Sequence, residues 1–170
     1  MVSPAYMRRL PYLLALLGCL GLGISLYLVT AHYGKKPIVC SGVGDCNYVN
    51  SSDYASVAGV PVSLLGVGMY ATLIAAALLW SRDWRDERRM IFYWGLALSG
   101  AGYAGYLTYV ELEILHAVCV WCVGSAIILA TSLTLSTAAL FWLPAASEVT
   151  PARSPATAGR DADARRRSAG

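Results

Sequence analysis

The sequence has few charged residues and almost no phenylalanine. Charged residues make up 14% of its 170 residues and hydrophobic residues 57%, whereas soluble domains average about 25% charged and about 45–50% apolar residues. Two phenylalanines stand beside five tryptophans and eleven tyrosines, a ratio typical of the aromatic belts at membrane interfaces. This composition excludes an ordinary water-soluble domain and indicates one domain that lies in lipid.

Positive charge and cysteine are also scarce. The net charge is only +3, and the arginines occur in short clusters between apolar runs, so we expect no nucleic-acid partner. Five cysteines are too few for a secreted disulfide scaffold of this length. Their regular placement along the chain nevertheless indicates that they have a function.

Four long runs contain no Asp, Glu, Lys or Arg. They cover residues 10–30, 60–80, 90–110 and 117–143. Each run is long enough to cross a hydrocarbon core of ~30 Å, which takes about 20 helical residues, and glycines within the runs allow the helices to approach closely. The sequence therefore predicts an all-α integral membrane protein, with a four-transmembrane-helix bundle formed by residues 10–143.

The basic residues predict how the bundle is oriented. Eleven of the thirteen Lys and Arg residues fall on one side of the predicted membrane, namely Arg8, Arg9, Arg82, Arg85, Arg88, Arg89, Arg153, Arg160 and the arginines at 165–167. By the positive-inside rule, residues 1–9 and 144–170 are cytoplasmic, and residues 31–59 and 111–116 face outward. The 144–170 tail is rich in Ala, Pro, Ser and Arg and is expected to be disordered.

A cleaved signal peptide is the alternative interpretation of the first run. Arg8 and Arg9 precede the run, and Val29-Thr30-Ala31 would permit cleavage. The run is longer than the ~7–15 apolar residues typical of signal peptides. This difference favours a membrane span.

Four cysteines fall on the outward side of this topology. Cys40 and Cys46 lie in the long loop after the first run, in a glycine-containing stretch that is flexible enough to close a small disulfide ring. Cys119 and Cys122 form a Cys-Val-Trp-Cys motif where the fourth run begins. Disulfides persist on the outer side of a membrane, and a helix N-terminus stabilises a thiolate. The placement indicates redox chemistry.

Other interpretations of the cysteines stay open. Both pairs could be inert disulfide braces, although a bridge between residues three apart closes too short a loop to stabilise much through chain entropy. The four cysteines could instead bind zinc, although structural zinc usually organises small domains that lack a core; we expect no metal site. Cys19, within the first run, is expected to be a small buried hydrophobe.

The order of these features resembles the vitamin K epoxide reductase family in its short bacterial and archaeal form. The matching features are four spans, a cysteine pair in the long loop after the first span, Ser52 six residues beyond Cys46, Gly59-Val60-Pro61 before the second span, and Cys119-Val-Trp-Cys122 at the start of the fourth. The resemblance covers roughly residues 10–143. Another bacterial four-span family that forms disulfides has its Cys-x-x-Cys in the first outer loop, the reverse of the order here.

The resemblance implies a membrane thiol:quinone oxidoreductase of the cell membrane. Cys119 and Cys122 would be the active pair beside a quinone, with Cys122 nearest to it. Cys40 and Cys46 would carry electrons inward from a soluble thioredoxin-like dithiol protein that acts in trans, and Ser52 would hydrogen-bond a quinone carbonyl. The quinone, ubiquinone or menaquinone, would be a substrate.

Three positions carry a further interpretation. Ser52 could be the N-cap of a short amphipathic helix in the long outer loop. His116, three residues before Cys119, could stabilise a thiolate or relay a proton, or be an ordinary interfacial histidine. Ala126 stands where animal members have a tyrosine that contacts vitamin K, so we do not expect epoxide reduction.

The alternative function is a non-catalytic membrane scaffold or transporter subunit braced by two disulfides. Because the runs lack charged residues, they lack the groups that couple ions or protons to transport. Export of reductant from the cytoplasm is a second alternative. It would need a cysteine reachable from that side, and Cys19 is poorly placed for this.

Overall fold

The computed structural model describes residues 4–34, 37–40, 45–83 and 86–147, and this part of the chain is mostly helical. The α-helices in it are α1 (Pro4–Gly34), α2 (Cys46–Ser51), α3 (Val62–Arg82), α4 (Glu87–Tyr109) and α5 (Val120–Ser147). A 3-10 turn spans Asp53–Ala55, a π-helical turn spans Val110–Ile114, and the strands β1 (Ser56–Val57) and β2 (Val60–Pro61) form a hairpin.

Three of the described helices are long and apolar enough to cross a membrane. They are Arg8–Gly34 within α1, Val62–Arg82 as α3, and Val120–Phe141 within α5. The fourth long helix, α4, has 23 residues, but its glycines and tyrosines give it a lower mean hydropathy than the other three. The chain thus has the helices of a multi-pass membrane protein, with the length of a fourth span in α4.

The helix boundaries differ from the predicted runs. Helix α1 continues to Gly34 instead of ending at residue 30, and α3 begins at Val62 because Val60 and Pro61 pair as β2. Helix α5 begins at Val120, three residues later than predicted, and continues to Ser147. Residues 144–147 continue α5 and are helical rather than disordered, although Pro144 has no backbone N–H to donate within the helix. Residues 148–170 lie outside the described residues.

A two-residue turn positions the start of α3. Ala58 and Gly59 have φ angles of 51° and 80°, and Val57 pairs with Val60 across them. Two successive residues with positive φ are typical of a type I′ hairpin turn, which matches the twist of the paired strands. The turn reverses the chain directly before α3.

Glycines bring α1 and α3 into close antiparallel contact. A Cβ added at Gly18 would lie 2.7 Å from Ile74, one at Gly21 would overlap the Tyr70 ring, and one at Gly66 would lie 2.7 Å from the Ser25 hydroxyl. Such small residues allow helix backbones to pack closely where lipid gives no hydrophobic drive for association. The other long helices pack beside this pair.

Helices α4 and α5 are joined to the pair by specific side-chain contacts. The Trp80 and Tyr93 rings lie 6.2 Å apart between α3 and α4, and the Trp94 indole N–H donates to the Thr137 hydroxyl at 2.9 Å between α4 and α5. These contacts lie within one compact unit, which the described residues up to Leu140 form; the described residues 141–147 are the end of α5.

The two ends of the helices carry different chemistry. Residues 37–40, 45–61 and 110–119 connect helices at one end and contain Cys40, Cys46 and Cys119; Cys122 lies in the first turn of α5 at the same end. Arginines lie at the start of α1 and around the turn between α3 and α4, at the other end. There, Arg89 bonds to Asp86 at 2.8 Å and to the Leu79 carbonyl at 2.6 Å. Arg85 and the tail arginines lie outside the described residues.

Candidate active site

Cys119 caps the N-terminus of α5. Its carbonyl accepts the backbone N–H of Val123 at 3.0 Å, and its Sγ accepts the backbone N–H of Cys122 at 3.4 Å, as a Ser or Asp side chain does at an N-cap. Cys119 is 0% exposed. Hydrogen bonding from Cys122 lowers the pKa of the Cys119 thiol in spite of its burial. The local structure thus favours a thiolate at Cys119.

Cys40 and Cys46 form a disulfide. Cys46 is the first residue of α2, whose N-cap Asp45 accepts the backbone N–H of Tyr48 at 3.0 Å, so the start of this short helix fixes one end of the bridge. Cys46 is 0% exposed, whereas Cys40 is only half-buried. The cysteine of this pair that an outside protein can reach more easily is therefore Cys40.

One buried cluster brings the two cysteine pairs together. Cys46 and Cys119 are both buried in it, and Cys40 and Cys122 pack against it. The apolar residues buried in the same cluster are Leu28, Ala31, Ile38 and Val49. Within the described ranges, no group of three or more His, Cys, Asp or Glu side chains could hold a metal ion.

Hydrogen bonds hold the segment before Cys40 over this cluster. The Val39 N–H donates to the Tyr27 hydroxyl at 3.1 Å, and the Trp121 indole N–H donates to the Val39 carbonyl at 3.0 Å. The Ile38 N–H donates to the Asn47 side-chain oxygen at 2.8 Å. Trp121 is thus more than a spacer in Cys-Val-Trp-Cys, because its hydrogen bond joins this motif to the loop. Sequence reasoning missed these three side chains.

A cavity of about 390 Å³ lies beside the cluster. Its lining comes from α1, α3, α4, α5, the segment from Val49 to Ala55 and the π-helical turn after α4, and it is mostly apolar. Cys122 lines the cavity and Cys119 does not. Ser52 lines it as well, so two of the residues singled out in the sequence border the same space.

The hydroxyl of Ser52 has a specific partner. Ser52 is half-buried, and its hydroxyl donates to the Val49 carbonyl at 2.8 Å. Its side chain makes no capping hydrogen bond to the 3-10 turn that follows it. Ser52 thus occupies the N-cap position of a 3-10 turn but does not cap it through its hydroxyl. The α-helix of the loop is α2, which begins at Cys46 with Asp45 as its N-cap.

Two polar groups in the cavity were not predicted. The Tyr70 hydroxyl lies 2.6 Å from the Ser125 hydroxyl and donates to the Ser125 carbonyl at 3.1 Å, which joins α3 to α5. Glu111 also lines the cavity, is only 4% exposed, and accepts the Cys119 N–H at 3.0 Å through Oε2. The sequence predicted an outward-facing loop for Glu111, and no signal in it distinguishes this glutamate from exposed Glu113.

Two other residues singled out in the sequence lie away from the cavity. His116 is exposed and has a φ of 48° at the end of the π-helical turn; it is not among the residues that line the cavity. Cys19 is exposed on α1, so the expectation that it is buried is wrong.

The family match agrees with this site. The model of the vitamin K epoxide reductase family matches residues 12–137, most of the 170-residue chain. The matched region includes both cysteine pairs, the whole lining of the cavity and most of the three membrane-capable helices, from residue 12 to residue 137. The resemblance seen in the sequence is confirmed, and the chain belongs to the vitamin K epoxide reductase family.

Proposed function

We propose that the protein is a membrane thiol:quinone oxidoreductase. It oxidises a dithiol of a soluble thioredoxin-like protein to a disulfide and passes the two electrons to a membrane quinone such as ubiquinone or menaquinone. The observation that carries the proposal is the division of the active pair: Cys122 lines the cavity, while Cys119 shares a buried cluster with Cys46. Cys122 thus borders the cavity that we assign to the quinone, and Cys119 shares the buried cluster with the loop cysteine Cys46.

Electrons enter through the loop pair. A thiolate of the partner attacks Cys40, the more exposed sulfur of the Cys40–Cys46 disulfide, and Cys46 leaves as a thiolate. The second partner thiol then displaces Cys40, so the partner leaves oxidised and the loop pair is reduced. Such exchange depends on access to the sulfur attacked, and the half-burial of Cys40 against the full burial of Cys46 supports this order.

Transfer to the active pair follows from the shared cluster. Cys46 attacks Cys119 of an oxidised Cys119–Cys122 pair, forming a transient Cys46–Cys119 disulfide and releasing Cys122 toward the cavity. Cys40 then resolves that disulfide and restores the Cys40–Cys46 bridge, which leaves Cys119 and Cys122 both reduced. Two electrons and two protons have then moved from the loop pair to the pair beside the cavity.

The cavity fits a quinone headgroup. Its volume of about 390 Å³ lies within the ~300–1,000 Å³ typical of small-molecule sites, and its mostly apolar lining suits a ring that partitions into lipid. A quinone supplies the acceptor for two electrons and two protons. Ser52 is the side chain we assign to its carbonyl, which requires the hydroxyl to rotate away from the Val49 carbonyl that it contacts now.

We further propose that α4 is the fourth span and that the cysteine end faces outward. Helix α4 has the necessary length, and it packs between α3 and α5 through Trp80–Tyr93 and Trp94–Thr137. The arginines at the other end of the helices then lie in the cytoplasm, as the positive-inside rule requires. Disulfide exchange takes place on the side where disulfides persist.

Anaerobic mixing of the purified protein with a reduced thioredoxin-like protein and ubiquinone or menaquinone tests the function. We expect the quinone absorbance to fall as the partner becomes oxidised. Cys119→Ala and Cys122→Ala should each abolish turnover with dithiothreitol as well as with the protein donor, whereas the control Cys19→Ala should retain near-wild-type turnover. A Cys122→Ala protein that still reduces quinone contradicts the assignment.

A trapping experiment tests the order of the relay. Cys46→Ala removes the thiol that resolves the first mixed disulfide, so the partner should remain on Cys40 as an adduct on a non-reducing gel. Cys40→Ala should trap no partner and retain some activity with small dithiols. If the adduct survives Cys40→Ala and maps to Cys119 or Cys122, the loop pair is a structural brace.

A further inference from the structure

Glu111 occupies an unusual position among the residues around the cavity. It is the one Asp, Glu, Lys, Arg or His among the described residues that line this space. Its side chain is only 4% exposed, and its Oε2 accepts the backbone N–H of Cys119 at 3.0 Å. A buried carboxyl group is costly unless it is protonated or well paired, so its presence between the active pair and the cavity requires an explanation.

The backbone around Glu111 directs it inward. It lies in the π-helical turn that follows α4, where the Leu115 N–H donates to the Val110 carbonyl at 2.9 Å and the Ala117 N–H donates to the Glu111 carbonyl at 3.1 Å. Such π-turns occur often at functional sites. His116 completes the turn with its φ of 48°, a left-handed conformation that ends the helix.

The electrostatic surroundings of Glu111 are almost free of fixed charge. The titratable groups that interact with it are Cys119 and Cys122 at the start of α5, and the other titratable side chains that line the cavity are Tyr54, Tyr70 and Tyr103. Burial raises the pKa of the Glu111 carboxyl, against the opposing effect of its hydrogen bonds to the Cys119 N–H and the Cys122 thiol. At the same site the pKa of the Cys119 thiol is lowered. The carboxyl and this thiol are thus biased toward opposite protonation states.

We propose that Glu111 is a catalytic proton carrier: it holds the proton that Cys119 gives up in the reduced pair and delivers it toward the cavity when the pair is oxidised. The proposal rests on the thiol:quinone activity proposed for this site. Glu111 meets the geometric requirement for this role, because it contacts the active cysteines on one side and borders the substrate space on the other.

The proton and electron balance closes with this assignment. The reduced site holds a Cys119 thiolate, a Cys122 thiol and a protonated Glu111. Formation of the Cys119–Cys122 disulfide releases two electrons to the quinone, together with one proton from Cys122 and one from Glu111, which is left as a carboxylate. When the Cys40 and Cys46 dithiol reduces the pair again, one of its two protons returns to Cys122 and the other to Glu111.

Two measurements test the carrier role, and Glu111→Gln is the key variant. The amide oxygen of Gln can still accept the Cys119 N–H, but the side chain cannot carry a proton. Glu113→Gln is the matched control, because Glu113 belongs to the same turn and is exposed. In single-turnover reduction of ubiquinone by the pre-reduced protein, we expect Glu111→Gln to lower the rate by about 10²–10⁴, the usual contribution of a positioned acid or base, and Glu113→Gln to leave it unchanged.

The second measurement needs no quinone. Difference infrared spectra recorded on reduction with a phosphine that contains no carboxyl group should show one carboxylic-acid C=O band appearing. The band should be present in the wild type and Glu113→Gln and absent in Glu111→Gln. No such band in the wild type overturns the proposal, as does a wild-type single-turnover rate in a folded Glu111→Gln protein.

The two proposals can fail separately. If the wild type shows the infrared band but reduces no quinone, the carboxyl takes up the proton as proposed and the thiol:quinone function is wrong. If the wild type reduces quinone but neither the band nor the rate depends on Glu111, the carrier role is wrong and the function stands.

Discussion

A methyl group added at Gly21 should disturb the cavity through Tyr70, one of the residues that line it. The Cβ of Gly21→Ala would overlap the ring of Tyr70, which is 2% exposed and cannot retreat without losing its place between α1 and α5. Tyr70 lines the cavity and is held by the hydroxyl and carbonyl of Ser125 at 2.6 and 3.1 Å. A displaced Tyr70 ring therefore changes both helix packing and the shape of the site.

The expected destabilisation has two contributions. Overpacking of a close contact costs about 1–3 kcal/mol, and the weakened Tyr70–Ser125 hydrogen bonding costs about 0.5–1.5 kcal/mol. Alanine recovers about 0.5–1 kcal/mol over glycine within a helix. We therefore expect Gly21→Ala to lower the free energy of unfolding by about 0.5–4 kcal/mol.

Gly23→Ala is the matched control. It lies two residues further along α1, and a Cβ there would meet nothing within 4 Å, so we expect unchanged or slightly increased stability. Unfolding in mixed detergent micelles measures the two free energies of unfolding. The KM for quinone measures the effect on the cavity, and we expect it to rise in Gly21→Ala and not in Gly23→Ala. Equal stability of the two variants would refute the close packing of α1 on Tyr70. In a Tyr70→Phe background, the cost of Gly21→Ala should fall by the hydrogen-bond contribution.

Three further predictions concern the redox end of the molecule. Ser52→Ala should lower the rate of quinone reduction by about 10²–10³ if its hydroxyl donates to developing negative charge; Ser51→Ala is the control, and lost stability with normal turnover would favour a purely structural role. An impermeant thiol reagent should modify reduced Cys40, and more slowly the buried Cys46, from the outer face only; labelling solely from the cytoplasm would overturn the orientation. Cys122→Ala removes the thiol that hydrogen-bonds Cys119, so the pKa of Cys119 should rise and the pH midpoint of its alkylation should move upward; a midpoint that stays or falls contradicts that cause.

Much of the helical framework follows from composition along the chain. Uncharged runs of sufficient length predicted long helices at four positions, and all four form, because hydrogen bonding within each segment is the solution that lipid permits. The ends were less predictable. The start of α3 depends on the Ala58-Gly59 turn, and that of α5 on Cys119, whose thiol replaces the usual Ser, Thr, Asp or Asn cap. Neither the turn nor the cysteine cap has a distinctive sequence pattern.

Some residues of the candidate site could be identified from the sequence and others could not. Cys-x-x-Cys spacing and the order of the cysteine pairs were enough to select Cys119 and Cys122, since local spacing decides their chemistry. Glu111 could not be selected, because its role depends on three-dimensional position: α4, whose first turn is charged, ends in a π-helical turn, and that turn buries Glu111 while Glu113 remains exposed. The uncharged runs contain no group that could couple protons. The proposed proton carrier, Glu111, belongs instead to the segment between α4 and α5, where a carboxyl can lie beside the cysteines without being inside an apolar span.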